Sequence, residues 1–173
     1  MSEFTCFPNV HIISDTKPSI SEDWITAVAK QSLKPYKFIR DCELNIVIAD
    51  DKLLKSLNFK HKGINDSTDV LSFNIEPIAD FIAVDDNSNQ SSSGDYDFVL
   101  PVDNTGLIGE VIISIEKVII QSEEKGISFD EELAILVIHG ILHLLGFDHE
   151  NYQDAEDMEK FADKAFNAIV NNS

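Results

Sequence analysis

Cysteine is scarce in this chain of 173 residues, and the two present, Cys6 and Cys42, lie far apart and form no C-x-x-C pair. A disulfide framework and a thiolate-bound metal are thereby excluded as organising devices, and two reduced thiols in ordinary positions are expected. Positive charge is also in short supply, with 13 Lys and Arg against 31 Asp and Glu and a net charge of -18. Such a far field repels phosphate and argues against broad, nonspecific attraction to nucleic acid or to anionic membranes. Long apolar runs are missing as well. Leu133 to Ile138, inside the helix expected near the C-terminus, is far too short to span a bilayer, and the opening residues lack the basic start and apolar core of a signal peptide. The expectation is a soluble cytoplasmic protein.

What is present is 43% hydrophobic residues, enough for one sizeable core, so residues 1–173 are expected to form a single domain. The charge is unevenly spread. Residues 1–62 carry nine Lys or Arg against eight acids, whereas 63–173 carry four against twenty-three, for net charges of +1 and -19. A polyanion has to meet the first part.

Local signals place the elements. Val10 to Ser14 alternates as an edge strand does, and Ser21 followed by Glu22 and Asp23 opens a helix that runs to about Leu33, before Pro35. Glu43 to Ala49 is rich in β-branched residues and reads as a strand, after which Asp50 and Asp51 cap a helix through about Phe59. Thr68 to Phe73 and Gly109 to Ile115 are further strands, the second followed by a helix from Glu116 to about Glu124. Between them, Glu76 to Thr105 holds seven acids, no basic residue and the tract DDNSNQSSSGDYD, the composition of a solvated, flexible insertion that buries too little to offset its ordering entropy. Ser128 and Glu131 match a capping box for a helix that is apolar almost all round from Leu133 to Leu145, interrupted only by His139, Gly140 and His143. A last amphipathic helix spans about Gln153 to Val170, with Met158, Phe161, Ala162, Ala165, Phe166 and Ile169 as its apolar stripe.

The chemistry sits in the apolar helix. His139 and His143 are four residues apart, so their imidazoles leave one helix face on successive turns and can share an ion at roughly 2 Å from each nitrogen. Gly146 can take the left-handed conformation that reverses the chain and returns His149 toward the same point. A lone histidine in an apolar helix is ordinarily a core residue bonded to backbone. Three of the chain's five within eleven residues, in this arrangement, point instead to a zinc site of one ion per chain with an open fourth position, the arrangement of a catalytic metal. The same offsets occur in the metzincin pattern H-E-x-x-H-x-x-G-x-x-H, but Gly140 stands where that pattern has its catalytic glutamate. A metal-dependent peptidase or amidohydrolase therefore lacks its general base.

The segment HGILHLLGFDH resembles the HGxLHLxGYDH signature of the YbeY family of endoribonucleases, rRNA maturation factors of bacteria. TDVLSF (Thr68 to Phe73), GEVIIS (Gly109 to Ser114) and LNFKHKG (Leu57 to Gly63) are similar to the family's T-[DN]-V-L-S-F-P, G-D-I-x-I-S and L-N-x-x-Y-R-G motifs, in the same order. The resemblance implies an α+β fold with a small mixed sheet packed by helices, a central, zincin-like HxxxH helix and a metal at the floor of a cleft. It implies His139, His143 and His149 as ligands and places Lys62 where the family has a basic residue, usually arginine, that matters for activity. The sequence departs from the pattern at Lys62 for arginine, His61 for tyrosine, Asn74 for proline and Glu110 for aspartate. Lysine keeps the charge and loses the planar fork that grips a phosphate.

The implied activity is zinc-dependent hydrolysis of single-stranded RNA in rRNA maturation and ribosome quality control, with the small ribosomal subunit or its assembly factors as partners. Lys62 would offset charge on the phosphate. Asp148 or Glu150, beside the third ligand, is available to take a proton, and Asp148 is as well suited to orient a histidine or to shape the turn. A different class of function, a non-catalytic assembly factor in which zinc is structural, has the same sequence signature.

Overall fold

A computed structural model describes residues 4–14, 19–38, 40–75, 106–147 and 152–170. The element order is β1 (Cys6–Ile12), α1 (Glu22–Leu33), β2 (Cys42–Ala49), α2 (Asp51–Lys62), β3 (Val70–Asn74), β4 (Leu107–Ser114), α3 (Ile115–Lys125), α4 (Phe129–Leu144) and α5 (Tyr152–Val170). Four helix starts are fixed by a side chain three residues upstream of a free amide. Ser21 accepts from the Trp24 N–H, Asp50 from Leu53, Ser114 from Lys117 and Ser128 from Glu131. At Ser128 the capping box is complete, and the bond that the Ser128 N–H donates to Glu131 holds that carboxyl below its usual pKa. The boundary between β4 and α3 falls one residue earlier than the sequence suggests, because Ser114 caps the helix and Ile115, strand-like by type, is its first residue.

The sheet has the order β1-β2-β4-β3, with β1, β2 and β4 parallel and β3 antiparallel to β4. The architecture is α+β, a four-stranded mixed sheet with five helices among the described residues. β1 is an edge strand as expected, but it begins at Cys6 and includes Pro8, a residue whose missing N–H is tolerated at a sheet edge. It brings Cys6 into register with Cys42. Both thiols are buried, and a hydrogen bond with Cys42, then desolvation, push the Cys6 pKa far up, so it remains a protonated and unreactive thiol.

Alternation along the strands sorts the helices onto two faces. Leu44, Ile46, Ile48, Val111 and Ile113 face α1, α4 and α5, and Met158, Ala162, Phe166 and Ile169 of α5 close that side. Val47, Ala49, Leu71, Ile112 and Phe73 face the other way, toward Leu53, Leu54 and Leu57 of α2. The side chains of Phe161 and Ala165, and the acidic segment 76–105, lie outside the described residues. No helix among the described residues is long and apolar enough to cross a membrane.

One ion pair joins α3 to α4. Lys125 Nζ lies 2.6 and 2.8 Å from the two carboxylate oxygens of Glu132, whose side chain is 0% exposed while that of Lys125 is 48% exposed. Removing the lysine leaves a buried carboxylate without its partner. Lys125→Ala is expected to cost about 3 kcal/mol, the low end for breaking a buried pair because the lysine is half in water. Urea denaturation checks this, and adding Glu132→Leu to the same chain should recover much of the loss. An unchanged midpoint in Lys125→Ala would mean that water alone suffices for Glu132.

Candidate metal centre

α4 ends in a turn that fixes one histidine. The Phe147 N–H bonds to the Leu142 carbonyl at 3.1 Å and the Gly146 N–H to the His143 carbonyl at 3.0 Å, the paired bonds of a Schellman motif. That motif needs a positive φ, which Gly146 supplies at 93°. The turn carries the Phe147 carbonyl to 2.9 Å from Nδ1 of His143. A carbonyl only accepts, so Nδ1 bears the proton and the lone pair of a neutral His143 is on Nε2. Nε2 of His143 in turn lies 3.0 Å from Nε2 of His139, with the rings nearly perpendicular at 82°.

This arrangement fits a metal. Two imidazole nitrogens sharing a tetrahedral ion at 2.0–2.1 Å sit roughly 3.3 Å apart, only a few tenths of an ångström from the separation found. A carbonyl on the far ring nitrogen is the usual way in which a protein sets the tautomer of a ligating histidine. Both rings are half-buried, while every other residue from Leu136 to Leu145 is buried. His149, Asp148 and Glu150 lie outside the described residues, and no cluster of three or more metal-binding side chains forms among the described ones.

Sequence reasoning missed the tie points that hold this end of α4. Ser72 Oγ donates to the Gly140 carbonyl at 2.9 Å, and Asn74 Nδ2 donates to the Leu144 carbonyl at 2.8 Å. Each bond lands one residue beyond a histidine. The second satisfies a carbonyl of the helix's last turn, which has no partner within the helix. Asn74, which departs from the family's proline, thus supplies a donor that proline lacks. Asp69 anchors the start of β3. Burial alone would raise its pKa, but bonds from Gln121, the Val70 N–H and the Thr68 hydroxyl outweigh this and lower it.

Gly140 has a structural role that its position in the motif does not reveal. A Cβ built there would lie 2.4 Å from Val111 Cγ1, 3.1 Å from Val70 Cγ2 and 3.4 Å from Ser72 Oγ. The position faces the sheet at close approach, so it has no room for the glutamate of a metzincin.

Lys62 is exposed in the last turn of α2, which continues to Lys62, beyond the Phe59 expected from sequence, and is capped by Gly63. Its neighbour His61 packs on Phe73 of β3, ring centroids 4.9 Å apart, and buried Asn58 holds the following loop by donating to the Asp66 carbonyl at 2.8 Å. The lysine and the histidine pair are therefore mounted on opposite faces of the sheet, with edge strand β3 between them.

Residues 11–170 match the family model described as Endoribonuclease YbeY. The chain belongs to the endoribonuclease YbeY family. It is 34% identical to the Endoribonuclease YbeY of Syntrophomonas wolfei over 145 residues, 84% of each chain. The Dehalococcoides mccartyi protein of the same name is 34% identical over 161 residues, 93% of this chain and 88% of that one. The Acetivibrio thermocellus relative is 36% identical over 129 residues, 75% of this chain and 74% of the other. A solution structure of a Thermotoga maritima protein shares the fold, with a TM-score of 0.52 at 23% identity over 95% of this chain and 93% of that one. The polar residues of the YbeY-like motifs thus include Asn58 in α2, Asp69 just ahead of β3 and Ser72 in β3, all of which hold elements in place.

Proposed function

We propose that this chain is a zinc-dependent endoribonuclease that cuts single-stranded RNA, with ribosomal RNA as its substrate and the small ribosomal subunit or its assembly factors as its partners in the cytoplasm. Residues 1–173 act as one domain, with the acidic segment 76–105 as an insertion within it. The observation that carries the reading is the facing pair of Nε2 atoms on His139 and His143, with the His143 tautomer set by the Phe147 carbonyl. His149 completes the ligand set on a zincin-like HxxxH helix. When bound, zinc supplies Lewis-acid chemistry, drawing electron density from a phosphoryl oxygen and making water a stronger acid. Lys62, mounted across edge strand β3 from the histidines, offsets negative charge on the phosphate of a strand that passes over that edge, and Asp148 takes the proton from the attacking water or orients a histidine ligand. The glycine at 140 weighs against the peptidase alternative, since that position has no space for a carboxylate base.

The test is cleavage of a labelled single-stranded RNA, with duplex RNA and casein as controls, by protein carrying about one zinc per chain. Lys62→Ala is expected to lower kcat/KM by about a hundredfold, in the range seen when a transition-state donor is removed, with zinc content unchanged. Lys62→Arg should retain or raise activity through its bidentate grip. Cleavage by Lys62→Ala at the wild-type rate would remove that residue from the site, and casein cleavage without RNA cleavage would overturn the assignment.

A further inference from the structure

We infer that α2 carries a docking stripe for single-stranded RNA in which the exposed ring of Phe59 stacks on a base while Lys52, Lys55 and Lys62 hold phosphates along the same strand. The inference rests on the reading of the chain as an RNA-cutting enzyme and names how that substrate is held.

Phe59 is 58% exposed on a helix whose Leu53, Leu54 and Leu57 already cover the sheet, so the ring is surplus to the core. At 3.6 residues per turn, Lys52, Lys55, Phe59 and Lys62 fall within an arc of about 80° and span about 15 Å along the axis. All four are exposed. Residues 52–65 contain four lysines and no acid, in a chain with 31 acids. The repulsive far field of the acidic part is screened beyond about 8–10 Å at ordinary salt, whereas a phosphate touching the stripe meets the lysines directly. Charge complementarity therefore selects a polyanion.

The ring selects its form. In a duplex the base faces are covered by their neighbours, while a single strand offers an unstacked face to an aromatic platform flanked by cations. Phe59 lies between Lys55 and Lys62, so the strand is held by a phosphate, a base and a phosphate in succession as it approaches the end of α2 that carries Lys62.

The experiment measures cleavage kinetics and oligoadenylate affinity on the zinc-loaded protein over a range of salt. Phe59→Ala is expected to raise KM and the oligoadenylate Kd about tenfold, with kcat and the salt slope unchanged, because stacking releases no counterions. Phe59→Tyr should restore both. Lys55→Ala should instead reduce the slope of log affinity against log salt by about 0.7, the value for one phosphate contact on a single strand. In Phe59→Trp, oligoadenylate should quench emission that the wild type, with only Trp24, does not show, and a duplex of the same length should not. Wild-type affinity in Phe59→Ala would overturn the stripe, as would a drop in molecular mass by sedimentation at constant RNA affinity, which would identify a second copy of the chain as the occupant. Failure of the zinc-loaded wild type to cut RNA would overturn the proposed function alone, since affinity and quenching still decide the stripe.

Discussion

His143→Ala is expected to lose its zinc and RNA cleavage with it. The residue supplies one of two facing Nε2 atoms, and its other nitrogen is the donor that the Phe147 carbonyl accepts. Loss of outer partners of a ligating histidine alone costs roughly 10–100-fold in metal affinity, and loss of the ligand itself should exceed that. Elemental analysis after dialysis should give about one zinc per wild-type chain and almost none in the variant. At zinc concentrations near 100 times Kd the bound ion adds about 2.7 kcal/mol to stability. For a chain of this size that corresponds to a chelator-induced fall in Tm of roughly 5–11 °C in the wild type, and none in the variant. His143→Asn separates the two roles, because its amide can still donate to Phe147 while offering no Nε2. It should lose zinc yet melt close to the chelated wild type. Undiminished zinc in His143→Ala would sink the ligand assignment.

Gly140→Ala should destabilise the protein although alanine is the better helix former by about 1 kcal/mol. The added Cβ would stand 2.4 Å from Val111 Cγ1, and Val111 is fully buried on a strand paired on both sides. Overpacking of this kind costs about 1–3 kcal/mol and sometimes more, so a net loss of about 1–2 kcal/mol is expected after the helix-forming gain. Val111→Ala in the same chain should cost less than the sum of the two single changes, because it removes the atom that collides. Gly140→Glu, which restores the metzincin pattern, adds a carboxylate to the same space and should fail to fold or melt far lower, without casein cleavage. Thermal melts of the three variants decide the matter. A Gly140→Ala protein as stable as the wild type would show that α4 can lift off the sheet at no cost.

The helices were legible because their signals are local. Ser21, Asp50 and Ser128 each bond to an amide three residues on, a reach the sequence displays directly, and the i,i+4 spacing of His139 and His143 needs no more than helical geometry. The apolar stripe of α5 was readable for the same reason, with Met158 in the core and Ala162, Phe166 and Ile169 packed against it. Errors gathered at strand ends. β1 starts four residues earlier than its alternation suggests, since pairing with β2 recruits Cys6 to Asn9, and Ser114 ends β4 by capping α3.

The sequence by itself determined where α1, α2 and α4 begin, which residues are apolar enough to be buried, that two histidines share one helix face, and, through its motifs, the family. Each depends on residues within a few positions of one another or on a pattern of types. Only the tertiary structure decided the strand order β1-β2-β4-β3, the separation of α2 and α4 onto opposite faces, the bonds from Ser72 and Asn74 to the α4 carbonyls, and the contact that forbids a side chain at Gly140. Ser72 and Asn74 lie 68 and 70 residues from the carbonyls they meet. Periodicity states which face of an element is covered, but the covering atoms are chosen by packing between distant segments, and no local pattern encodes that choice.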